Sequence, residues 1–134
     1  MSSLKAKVKL IQKNESLTIV QFEFNDQALS MMSLELPRDI TVGTEVKLTI
    51  KPTHIAIGKN ISGDLSYSNQ LNATIKNIDN GKLLSSISLK LDDNNTIESI
   101  ITKDSAKRLK LKKGDKVIAL IKASDISIGQ VCDD

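Results

Sequence analysis

Three short segments of this chain carry side chains that could meet an anion. Thr102-Lys103-Asp104-Ser105 places two hydroxyls three residues apart. If Thr102 caps a helix, both hydroxyls lie beside the unpaired N–H groups of the first turn, whose partial positive charge favours an oxyanion. The same four residues also describe an ordinary helix cap. Lys122-Ala123-Ser124 sets an ammonium and a hydroxyl at the end of an apolar run, where a lysine is as easily just solvated. Ser66-Tyr67-Ser68-Asn69 is a hydroxyl-rich stretch that, read alone, is a linker.

Other chemistry is thin. There is no Ser-His-Asp set and no glycine-rich phosphate loop, and Asp92-Asp93 falls in a turn-like stretch. His54 reads as a surface residue at a strand start. One histidine and one cysteine, Cys132, cannot fill a tetrahedral zinc site within one chain, nor can Cys132 pair within it. These features argue against an enzyme. A single-strand nucleic-acid binder stacks bases on exposed aromatics along a basic groove. Only Phe22, Phe24 and Tyr67 are aromatic, the two phenylalanines alternate with Glu23 as core residues do, and the net charge of +3 is spread out. With 40% hydrophobic residues and no Trp, the core must come from Ile, Leu and Val. No run is long enough to span a bilayer, and the first residues lack the apolar stretch of a secretory signal, so a cytoplasmic location is expected.

The elements that must position these segments form an internal repeat. Lys5-Ala6-Lys7-Val8-Lys9 aligns with Asn72-Ala73-Thr74-Ile75-Lys76, and Val20 to Phe24 with Ile87 to Leu91, at an offset of 67. Gly43-Thr44-Glu45-Val46 aligns with Gly114-Asp115-Lys116-Val117, and Ile50 to Gly58 with Ile121 to Gly129, at an offset of 71. The second copy has therefore gained four residues, which are expected to lie between its third and fourth elements.

Alternation of apolar and polar residues predicts strands. In the first copy these are Leu4 to Leu10, Leu17 to Phe24 with a face switch near Val20, Ala28 to Leu36 ended by Pro37, Val46 to Ile50, and Ile55 to Ile57. The second copy repeats the order at 71–78, 84–91, 96–101, 116–121 and 126–128. Leu4, Ala6, Val8 and Leu10 should share a buried face. Short strands in two copies predict an all-β protein of two tandem small antiparallel barrels. The expected division is 1–60 and 66–130, with a polar linker between. One segment breaks the pattern: Thr102 to Leu109 reads as a short helix with Thr102 as N-cap, Asp104 in the favoured first turn, and Ala106 and Leu109 facing inward. The insertion is expected to be that helix. Repeats of roughly 60 residues bury little surface, so association with another copy is the default expectation.

Taken together, the three segments resemble the Mop domain of molybdate-binding proteins. The resemblance is carried by Ser66 to Leu71, by Ile101 to Val117 with its Thr-x-x-Ser and Gly-Asp motifs, and by Ala119 to Ser124 with Lys-Ala-Ser. The first copy resembles the more divergent TOBE version through Ile50-Lys51-Pro52-Thr53-His54-Ile55. The resemblance implies OB-like barrels in a di-Mop arrangement, similar to molbindins and the effector half of ModE-type regulators. It also implies molybdate or tungstate as ligand, no organic cofactor, no side chain bonded directly to the metal, and a homo-oligomer (dimer or trimer) holding the anion between subunits. Thr102, Ser105, Lys122 and Ala123 would come from one chain, and Ser66 and Ser68 from another. Ser68 stands where the family usually has arginine. The roles implied are storage, buffering or sensing of molybdenum. The alternatives are a regulatory or adaptor module of a molybdate transporter or transcription system, and an OB-fold nucleic-acid binder.

Overall fold

Side-chain alternation sets the faces of the strands, and one extra residue in each long strand resets them. In the computed structural model, which describes residues 2–132, β1 (Ser2–Asn14) buries Leu4, Ala6 and Val8 and exposes the lysines between them. Its ladder with β2 (Leu17–Phe24) slips between Val8 and Leu10, a bulge at Lys9. Beyond a bulge the parity reverses. Leu10, expected on the buried face, is consequently 42% exposed, and Ile11 packs on the core instead. The irregularity expected near Val20 thus belongs to the opposing strand; β2 itself buries Thr18, Val20, Phe22 and Phe24 without a break. The second copy repeats the device: β6 (Asn69–Asn80) slips against β7 (Leu84–Lys90) at Lys76.

The remaining strands are β3 (Gln27–Ser33), β4 (Glu45–Ile50), β5 (Ala56–Gly58), β8 (Thr96–Thr102), β9 (Lys116–Ile121) and β10 (Ser127–Val131). β3 stops short of the expected Leu36, because the chain turns at Ser33, whose hydroxyl donates to the Glu35 carbonyl at 2.6 Å. In both copies a glycine at positive φ, Gly43 (+95°) or Gly114 (+94°), returns the chain to the bulged strand. Each glycine donates its N–H to Val8 or Ile75 at 2.8 Å.

Two antiparallel five-stranded sheets result, ordered β10-β4-β1-β2-β3 and β5-β9-β6-β7-β8. The fifth strands have changed sides. β5 follows the first copy but pairs with β9 (Ala56↔Leu120), and β10 follows the second but pairs with β4 (Ser127↔Thr49). The crossing segments are two 3-10 turns, Pro52–His54 and Ala123–Asp125, packed on β8 and β3 respectively. They meet where His54 Nδ1 lies 3.6 Å from Asp125 Oδ1, two equivalent positions of the repeat.

Burial locks the exchange. Ile55 and Ile126 are 1% and 2% exposed, and each buried side chain of this size stabilises the fold by about 1.5–3 kcal/mol. Asn69, fully buried, accepts from Ser30 N–H at 2.7 Å and donates to the Ser30 and Ile121 carbonyls at 3.0 and 3.1 Å. Ser2, its equivalent, accepts from Glu98 N–H at 2.9 Å. Ser99 donates to the Ile55 carbonyl at 2.5 Å. The apolar interiors of both barrels form one continuous cluster.

The registers divide the inserted residues more finely than the sequence offsets do. Thr18 pairs with Ser33, and Ser85, its equivalent, pairs with Ile101, so the offset is already 68 at the end of the third strand. One of the four extra residues therefore lies in the β7–β8 turn. The other three make the helix α1 (Lys103–Arg108). Its first-copy counterpart is a turn in which Ile40 N–H donates to Pro37 at 3.1 Å. The two hairpin turns touch, Asn25 donating through Nδ2 to Asp92.

Candidate oxyanion site

Strand β8 delivers Thr102 to the start of α1 with extended backbone (φ −68°, ψ 147°), as an N-cap requires. Its Oγ1 accepts from Ser105 N–H at 3.1 Å and donates to Ser105 Oγ at 2.9 Å. Arg108, one turn further on, donates from its guanidinium to the same Ser105 Oγ at 3.1 Å. Ser105 Oγ therefore accepts twice, which leaves its own hydrogen to point at an external acceptor. Asp104 is exposed, so its carboxylate need not face that point, and Ala106 is the buried residue of the helix, as expected. Leu109 is half-buried.

The helix is held at its other end. Lys59, the residue after β5, donates to the Leu109 and Lys110 carbonyls at 3.1 and 3.0 Å and to Asp115 Oδ2 at 3.1 Å. The Lys112 backbone N–H at 2.9 Å, and then the Lys59 ammonium, hold the Asp115 carboxyl below the usual carboxylate range.

The other nominated residues lie at the exchange crossing. Asn69 pairs with Ile121, so Ser68 and Lys122 occupy the next step of that register, with Ser66 two residues upstream. Lys122, Ser68 and Ser66 are exposed and Ala123 is half-buried. The 3-10 turn that starts at Ala123 packs on β3, whereas α1 packs on β7 and β8. The structure thus joins Thr102 to Ser105, and brings Lys122 and Ala123 beside the entry segment rather than beside the helix. The turn packed on β8 is the first copy's, carrying Pro52, Thr53 and His54 after Lys51.

Two residues at α1 had escaped sequence reasoning. Arg108 stands three positions after Ser105, a spacing that puts side chains on one helix face, and this signal was available. Lys59 had none, since nothing in a polar linker marks which lysine folds back. Phe22 and Phe24 are 0% and 4% exposed, which removes them as stacking surfaces. Among the described residues no group of three metal-ligating side chains forms, and no helix is long and apolar enough to cross a membrane.

Comparison with known proteins agrees with this architecture. The TOBE domain model matches residues 65–128. The cytoplasmic molybdate-binding protein ModG, in a crystal form with molybdate bound, superposes with a TM-score of 0.90 at 28% identity, covering 96% of this chain and 94% of that one. MopII from Clostridium pasteurianum, in an apo form, is 30% identical over 45% of this chain and 90% of its own, with a TM-score of 0.43. Among curated proteins none matches. With its two exchanged antiparallel barrels and a short helix in the second, the chain belongs to the Mop/TOBE domain family.

Proposed function

We propose that this protein binds molybdate or tungstate in the cytoplasm, without chemical turnover, and so stores, buffers or senses the metal. The observation that carries the reading is a donor lip, Thr102–Ser105–Arg108, on a fold that matches molybdate-loaded ModG along nearly its whole length. Molybdate and tungstate are tetrahedral dianions at neutral pH and only accept hydrogen bonds. A hydroxyl hydrogen, a guanidinium and an ammonium offer donors with no facing acceptor. Monoprotonated phosphate needs an acceptor and is disfavoured; sulfate has the same charge and is rejected by size.

The lip lacks Lys122, and Lys122 lacks the lip. This separation supports a site completed between copies of the chain, with Thr102 and Ser105 from one protomer and Lys122, Ala123, Ser66 and Ser68 from its neighbour. Arg108 then supplies at the helix the charge that Ser68 does not supply at the entry. The test is calorimetric titration with molybdate, tungstate, sulfate and phosphate. Heat from the first two alone supports the reading, and equal silence for all four removes it.

A further inference from the structure

We propose that Lys59 is a positioning residue for the oxyanion lip, clamping the far end of α1 so that Thr102, Ser105 and Arg108 keep their mutual geometry. The inference rests on the reading of α1 as that lip.

A six-residue helix cannot hold itself, because nucleation costs more than one turn of hydrogen bonds returns. Its direction must come from outside. One support is burial of Ala106. The other is the Lys59 ammonium, which donates two of its three hydrogens to the carbonyls of Leu109 and Lys110, at and just past the helix C-cap, and the third to Asp115. Those carbonyls have no partner within the helix, and a cation there complements the dipole. Asp115 also accepts from Lys112 N–H, which ties the loop after the helix into the same knot. The Lys59 and Asp115 side chains are only 22% and 23% exposed, so solvent screens their pairing less than at an open surface.

The repeat supplies a control inside the molecule. The positions equivalent to Lys59 and Asp115 are Gln130 and Thr44, and neither ionises. The first copy has no helix there, so the clamp occurs only where there is something to clamp. Lys59 also opens the linker that leads to Ser66 and Ser68. At the start of that linker the Ile61 side chain folds over Gly58.

The experiment compares Lys59→Met, which keeps the aliphatic stem, with Lys59→Arg, which restores donors and charge. In calorimetric titration with molybdate, Lys59→Met should lose about tenfold in affinity at unchanged stoichiometry, the loss expected for misplacing one charge-assisted contact. Lys59→Arg should return to within about threefold of the native protein, limited by its different fork geometry. Native-like binding by Lys59→Met, or no recovery in Lys59→Arg, overturns the proposal. Hydrogen exchange separates its failure from that of the oxyanion reading. Leu109 and Leu111 N–H donate to the Ser105 and Ala106 carbonyls, and both should exchange faster in Lys59→Met. If they do while native protein ignores molybdate, the oxyanion reading falls and the clamp stands; unchanged exchange removes the clamp.

Discussion

The two repeats build the same ladder and diverge where the third strand ends. Both bulge at an equivalent lysine, both return through a glycine at positive φ, and both surrender their fifth strand to the other barrel. At the step after Ser33 and Ile101, however, the first copy has Leu34 and the second has Thr102. Leu34 is 70% exposed and caps nothing, and the chain behind it closes with Leu36 packed on the core and Ile40 buried. The second copy has three more residues there and forms a helix on which the Thr102 and Ser105 hydroxyls and the Arg108 guanidinium are joined by hydrogen bonds. The ladder tolerates this freedom because its hydrogen bonds and buried faces are complete before the divergence begins. The two copies differ where the scaffold makes no demand.

The comparison breaks most severely if the barrels prove to be independent. Phe22 and Leu89 are equivalent, fully buried core residues. Phe22→Ala should cost about 3–5 kcal/mol and Leu89→Ala about 2–5 kcal/mol. Because each barrel borrows a strand from the other, either variant should still unfold in one denaturant transition. Two transitions in either variant would mean that the exchange does not couple the halves.

Next in size is the contrast at the strand ends. Thr102→Ala removes the cap and the hydroxyl that orients Ser105, so molybdate affinity should fall about 10- to 100-fold, while stability falls by about 1 kcal/mol. Leu34→Ala should leave affinity unchanged, and the native protein should take up one molybdate per protomer. A stoichiometry of two, or sensitivity to Leu34→Ala, would give the first copy a site of its own.

The smallest effect is in acid. Asp92, held down first by the Asn95 side chain and then by the Asn94 N–H, and Asp115, held down first by the Lys112 N–H, both ionise below the ordinary carboxylate value. Their first-copy equivalents, Asn25 and Thr44, carry no charge. A depressed folded-state pKa gives stability that is full above the unfolded value, about 3.9, and is lost as pH falls through the folded value. Between pH 5 and 2 the melting temperature should therefore fall more steeply with decreasing pH in the native protein than in an Asp92→Asn, Asp115→Asn variant. Equal slopes would show that the turns of the second copy contribute nothing of this kind.

Much of this was legible from residue spacing. The offsets located the repeat, and the Thr-x-x-Ser spacing located the cap, because helix starts are written in local side chains. The irregularity of the first copy was misplaced by one strand, since an extra residue in β1 and a face switch in β2 leave the same mixed pattern of apolar positions. The exchange was not legible at all. Ile55-Ala56-Ile57 and Ile126-Ser127-Ile128 alternate identically whichever barrel receives them, and only the packing of the crossing turns decides. Lys122, which the resemblance groups with Thr102 and Ser105, lies at the Asn69 end of β6, whereas Thr102 lies toward its Asn80 end.

The traded strands bear on how such a chain could arise. A polypeptide with a single repeat would lack one edge of its own sheet and carry a segment that fits only elsewhere, so two identical copies would satisfy each other by reciprocal swapping. Joining those copies through a ten-residue polar tether such as Lys59 to Ser68 turns a concentration-dependent pair into one covalent unit. Once fused, the halves no longer need to be identical, and one can drift away from ligand duty while still completing the barrel of the other.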